Sequence, residues 1–153
     1  MPTAIVTGGA IRIGRAMALH LAGKGFNIAL LYHSSGVASE ETIQEIQSLG
    51  VRCRGYPGDL RKLEEAESLI DKVLQEFDDV ELQVNSAANF IQENIEQTGL
   101  ETLVDTLHLN LMAPYLLMRE YKRRINKGLI VNILDERVEK TIRSEERRVG
   151  KEC

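Results

Sequence analysis

The chain has 153 residues, of which 43% are hydrophobic and 27% charged, and its formal net charge is −4. That length suits one domain with its own core, and the mixture excludes a wholly disordered chain. The mild acidity argues against a nucleic-acid partner. No apolar run reaches the length of a membrane span, and no signal pattern precedes the first strand-like segment, so no membrane partner is expected. Cys53 and Cys153 lack metal-ligand spacing, so no metal is expected and a reducing, cytoplasmic setting is the default.

Ala4-Ile5-Val6 reads as a buried strand entering the turn Thr7-Gly8-Gly9. Residues 13–22 have helical spacing, with Ile13, Ala16, Met17 and Leu21 on one stripe and Gly25 as the stop. A second buried strand spans 28–32. Ile43, Ile46 and Leu49 mark a second helix, closed by Gly50 in the left-handed position. A third strand covers 51–56. Leu63, Ala66, Leu69, Ile70, Val73, Leu74 and Phe77 stripe a third helix, and Val80, Leu82 and Val84 alternate as a fourth strand. One long helix is expected over 100–124, then a fifth strand over 129–133. Strands alternating with helices of this length predict right-handed crossovers and a doubly wound parallel α/β sheet of Rossmann type.

Thr7-Gly8-Gly9-Ala10-Ile11-Arg12-Ile13-Gly14 joins the first strand to the first helix. A helix N-terminus there offers unpaired N–H groups and positive dipole character to a pyrophosphate. Gly8 permits the tight turn, and Gly14 lets the helix pack close to the strand. The position of this turn, after a strand and before a helix, makes dinucleotide binding the expected role. Leu31-Tyr32-His33-Ser34-Ser35 ends the second strand without the acid that binds a ribose 2′-hydroxyl. His33, Ser34, Ser35 and Arg12 could instead donate to a 2′-phosphate, which favours NADP(H).

The turn resembles the Thr-Gly-x-x-x-Gly-x-Gly fingerprint of the short-chain dehydrogenase/reductase family, with Arg12 in place of the middle glycine. That replacement resembles the pteridine reductase and dihydromonapterin reductase branch. The resemblance implies that Thr7, Gly8, Arg12, Ile13 and Gly14 hold the cofactor and that Asp59, followed by Leu60, hydrogen-bonds the adenine. A helix N-cap is the alternative role for Asp59. Asn85-Ser86-Ala87-Ala88 is similar to the family's Asn-Asn-Ala-Gly segment, changed at its second and fourth positions. Asn85, Ser86 and Ala87 are therefore expected at the cofactor. Asn110 matches the helix asparagine that holds a proton-relay water in this family.

Val131-Asn132-Ile133-Leu134-Asp135 resembles the segment that normally delivers the catalytic serine, with Leu134 and Asp135 at the two serine positions. In the pteridine reductases an aspartate takes that role, so Asp135 is the catalytic candidate beside Asn110. The family's Tyr-x-x-x-Lys pair should follow. None of Tyr32, Tyr56, Tyr115 and Tyr121 has a lysine four residues later. The run from Arg143 to Cys153 looks like a translated sequencing adaptor, so coding sequence is expected to end at or before Ile142. The reading is thus of two parts: 1–142, a partial NADP-binding domain lacking the C-terminal part of the fold, and 143–153, a foreign-looking tail.

The resemblance implies an NADPH-dependent oxidoreductase reducing a carbonyl or a pterin-type C=N of a small-molecule substrate. Its parent would be a homo-oligomer assembled in part through the long helix, and the chain as written would be inactive. The other readings are a 3-oxoacyl carrier-protein or other ketone reductase, and a non-catalytic NADP(H)-binding module.

Overall fold

Each apolar run expected as a strand forms one. These are β1 (Thr3–Thr7), β2 (Asn27–Tyr32), β3 (Cys53–Pro57), β4 (Val80–Asn85) and β5 (Leu129–Asn132). Between them lie α1 (Arg12–Gly23), α2 (Gly36–Ser48), α3 (Leu63–Leu74), α4 (Leu100–Leu107) and α5 (Ala113–Arg124). This computed structural model describes residues 1–34 and 36–135. Ser35, the boundary at 142 and the segment 143–153 lie outside the described residues.

The strands make one parallel sheet in the order β3-β2-β1-β4-β5. The chain moves outward from β1 to β3, then returns to the other side of β1 with β4. The gap between the C-terminal ends of β1 and β4 is therefore the topological switch point, where ligands of open α/β sheets bind. One face of the sheet packs with α3 and α5 through Ile5, Leu31, Ile70, Val73, Phe77 and Leu117. The other packs with α1 and α2 through Val6, Ala18, Leu30, Ile46 and Val84.

The apolar stripe of α3 buries as its spacing predicts, at Ala66, Leu69, Ile70 and Val73. Helix α1 differs from expectation. Its buried residues are Gly14, Ala18 and Ala22, whereas Ile13 is 60% exposed and Ala16 is also exposed. The helix lies so close to the sheet that only small side chains fit its inner face. Helix α2 begins earlier than its isoleucines suggest. Its first turns are polar, and Thr42 is buried because its hydroxyl bonds the Ala10 and Ala38 carbonyls.

Strand β4 alternates in sequence but not in burial, since Gln83 and Asn85 are as enclosed as Val84. Helices cover both sheet faces, so Gln83 and Asn85 on the polar side of this strand are enclosed, while Glu81 near its start stays exposed. The expected helix over 100–124 is interrupted by a π-helical turn, His108–Met112, centred on Asn110. Pro114 at the start of α5 supplies no amide to the preceding turn, and a π-turn is one way to absorb that loss. Gly25 and Gly50 take positive φ where helices were expected to stop.

Late in α5, Glu120 is buried beside Arg119, Arg123 and Arg124. Burial alone would raise its carboxyl, but the Arg119 hydrogen bond and the neighbouring charges win and hold it below its usual range. Arg119 and Arg124 also reach Glu67 and Asp71, clamping α5 onto α3.

Candidate dinucleotide site

A cleft of about 960 Å³ opens over the C-terminal ends of the strands, at the switch point. Its floor is set by β1. The Thr7 hydroxyl accepts the amide protons of Ser86 and Ala87, at 3.1 and 3.0 Å, and so ties the end of β1 to the segment after β4. Gly8 follows at φ +65, and a Cβ there would stand 2.9 Å from Ala87 Cα. A Cβ on Gly14 would meet the Gly8 carbonyl oxygen at 2.2 Å. These absences of side chain bring three backbone segments together and leave the first turn of α1 facing the cleft. Its N–H groups have no partner within the helix.

Arg12 sits at φ +50, a left-handed conformation that glycine adopts freely and arginine does not. It occupies the position of the resembled fingerprint's middle glycine, keeps the glycine-like backbone and lines the cleft.

Gly8, Arg12, Ile13, Gly14, His33, Ser34, Asp59, Leu60, Ser86, Ala87, Asn110 and Asp135 all line this cleft. The turn, the end of β2, the loop after β3, the segment after β4 and the mouth of β5 thus converge, although they span most of the chain. Thr7 and Asn85 lie beneath it. Asn85 accepts from Gln83 and donates to Asn132 Oδ1 at 2.8 Å, which links β4 to β5. The side-chain amide is spent inside the sheet.

Asp59 does not cap α3, whose preceding residue is Lys62. Its carboxylate instead receives the Arg61 backbone N–H and the Arg61 guanidinium, at distances from 2.8 to 3.2 Å. The hydrogen bonds from Arg61 outweigh the opposing effect of burial and, helped by the charge of His33, lower its pKa to about 2. His33 Nε2 lies 3.5 Å from the second oxygen of Asp59. Arg61 is also held from α4, by Asp105 at 3.5 Å, while its carbonyl meets His108 Nδ1 at 3.0 Å.

Asn110 faces Asn89. Its Oδ1 accepts the Asn89 amide and its Nδ2 donates to the Asn89 carbonyl, both at 3.0 Å. Asp135 closes the cleft at the β5 end next to Ile133 and Leu134.

Arg61, Asn89 and Asn132 are functional neighbours that the sequence pattern does not single out. Arg61 carried one usable signal, its place two residues after a candidate aspartate. Asn132 carried another, a polar residue inside an apolar strand. Nothing local marks Asn89, whose partner is 21 residues away. Among the described residues no cluster of His, Cys, Asp or Glu could hold a metal ion, and no helix is long and apolar enough to cross a membrane.

A parallel sheet of this order, with a glycine turn between its first strand and helix and a cleft at the switch point, defines a Rossmann-type nucleotide-binding fold. The chain belongs to the short chain dehydrogenase family, whose match covers residues 2–137. It is 30% identical over 127 residues to the uncharacterized oxidoreductase YhxC of Bacillus subtilis, covering 82% of this chain and 45% of that protein. A short chain dehydrogenase from Burkholderia cenocepacia, solved in complex with NADP, superposes with a TM-score of 0.83 at 27% identity. That match covers 86% of this chain and 54% of the other. FolM alternative dihydrofolate reductase 1 from Brucella canis, complexed with NADP, gives 0.82 at 26% identity, over 90% of this chain and 57% of that one. The chain thus spans about half the length of the relatives it matches.

Proposed function

We propose that this chain is the NADP(H)-binding part of a short-chain oxidoreductase that reduces a carbonyl or a pterin-type C=N on a small molecule. The observation that carries the reading is the turn from Gly8 to Gly14. No Cβ fits at either glycine, and Arg12 tolerates a left-handed backbone while reaching the cleft. That cradle suits a pyrophosphate approached closely by backbone N–H groups.

Selection of NADP over NAD rests on the end of β2, where His33 and Ser34 line the cleft and no acid stands. Structural neighbours crystallised with NADP support the same choice. Asp59 is the acceptor for the adenine edge. When bound, the reduced nicotinamide supplies the hydride. Asp135 then orients the substrate, or holds and passes a proton, at the mouth of β5. Asn110 shapes that end of the cleft through the Asn89 backbone that it grips.

Arg12 and the Leu134-Asp135 pair favour the pteridine reductase branch, and the dihydrofolate reductase neighbour from Brucella canis accords with it. A 3-oxoacyl carrier-protein or other ketone is the rival substrate class. We take the general acid to belong to the remainder of the parent protein, and the tail 143–153 to be foreign to it. The parent is then a homo-oligomer, and Leu100, Leu103, Leu107, Leu111 and Tyr115, all exposed along the α4–α5 segment, suit a buried interface there.

The test is a fluorescence titration with NADPH and NADH, alongside an assay for NADPH consumption. Binding that prefers NADPH, without turnover by this chain, is the expected result. Folded protein that binds neither nucleotide overturns the reading, including its non-catalytic form as a nucleotide-binding module. Continuation of the gene past codon 142 into a Tyr-x-x-x-Lys segment would separate the enzyme from that module.

A further inference from the structure

The end of β2 and the loop after β3 meet through a charge relationship that the adenine contact alone does not require. Asp59 is pinned by Arg61 on one side, through the Arg61 amide, Nε and Nη2. Its Oδ2 also lies 3.5 Å from His33 Nε2, an ion-pair separation rather than a hydrogen bond. His33 is about half exposed and lines the cleft. One ring nitrogen therefore faces a fixed carboxylate while the ring stands at the cleft wall. Arg61 is in turn tethered to α4 by Asp105, so the carboxylate is held from behind.

We infer that Asp59 is a specificity-positioning residue, acting through His33 to orient the imidazole toward the 2′-phosphate of NADP(H). This rests on the dinucleotide reading above and deepens it. Asp59 supplies the fixed anion toward which Nε2 of the ring turns, so the rest of the ring is presented to the phosphate. Arg12 lines the same cleft from the turn. An aspartate that touched only adenine would serve NADH and NADPH alike, because both carry the same base. One that acts through His33 serves NADPH in preference.

The difference can be read as a ratio of dissociation constants, measured by nucleotide fluorescence on the full chain. The variants are Asp59→Asn, His33→Gln and the double variant, each titrated with NADPH and NADH. Any loss of the adenine contact, or any general loosening of the site, lowers both affinities and cancels in the ratio. Loss of one charge-assisted contact corresponds to about a tenfold change. The expected result is that either single substitution lowers the preference for NADPH by about that factor. The double variant then falls no further than His33→Gln alone.

If Asp59→Asn weakens both nucleotides equally, the carboxylate acts only on the shared half of the ligand and the inference is overturned. The same follows if its effect on the ratio persists undiminished in the His33→Gln background. Failure of the parent chain to bind either nucleotide is a different result. It removes the dinucleotide reading itself.

Discussion

Asn110 grips the backbone of Asn89 with both ends of its amide, accepting from its N–H and donating to its carbonyl at 3.0 Å each. The grip spans from the π-helical turn to the loop after β4, and Asn89 Nδ2 adds a hydrogen bond to Thr106 at 3.4 Å. It explains why an asparagine occupies a mid-helix position where its intrinsic propensity is poor. The interrupted helix aims the side chain outward at the loop rather than along the helix surface.

Replacing Asn110 by Ala should cost about 1–2 kcal/mol, the net worth of two hydrogen bonds. Asn110→Asp keeps the acceptor but sets a carboxylate against the Asn89 carbonyl, so it should be at least as damaging. Chemical denaturation of the variants beside the parent measures both. An unchanged midpoint for Asn110→Asp would show that the grip contributes nothing to stability.

Thr7 performs a similar service one layer deeper. Without its hydroxyl the amides of Ser86 and Ala87 lose their acceptor in a partly buried site. Thr7→Val, nearly isosteric, is expected to destabilise the fold by about 1–3 kcal/mol. Thr7→Ser should recover most of that loss. Equal melting temperatures for the valine and serine variants would contradict this account.

The turn stores strain that can be released. Arg12 at φ +50 carries a Cβ in a left-handed conformation, at a cost of about 1–2 kcal/mol. Glycine removes that cost but adds about 0.4–1 kcal/mol of unfolded-state freedom. Arg12→Gly should therefore leave the fold unchanged or up to about 1.6 kcal/mol more stable. NADPH affinity should nevertheless drop by about tenfold as a charged donor is lost. Gly14→Ala goes the other way. Its Cβ would press on a backbone oxygen 2.2 Å away that no rotamer change can move, and a loss of about 2 kcal/mol or more is expected. Melting curves with and without nucleotide read all of these effects.

The Asp59–Arg61 pair sets a pH dependence with a definite sign. The folded-state pKa of Asp59 is lowered to about 2 from an ordinary value of 3.8. The stabilisation is therefore complete above about pH 4 and disappears as pH falls through about 2. Asp59→Asn removes it at every pH. The gap in stability between the parent chain and this variant should thus be constant from pH 7 to 5 and narrow towards pH 2. Denaturation midpoints taken across that range check it, and a gap that widens in acid would reverse the sign.

Residue order alone determines the fold class and marks most of the candidate residues that the fold brings to one cleft. Apolar runs such as Ala4-Ile5-Val6 and the stripe of α3 bury themselves by periodicity, a local property of the chain. The Gly8-to-Gly14 turn also declares itself, because few other residues permit so close a backbone approach. The tertiary structure decided what periodicity cannot carry. Helix α1 turns Gly14, Ala18 and Ala22 inward instead of Ile13 because the distance to the sheet, not hydrophobicity, selects its inner face. Asn85 serves Asn132, Asn110 serves Asn89, and His33 stands by Asp59, in pairs separated by tens of residues. Those partnerships depend on which strand ends the parallel sheet brings to one edge, and no local pattern records it.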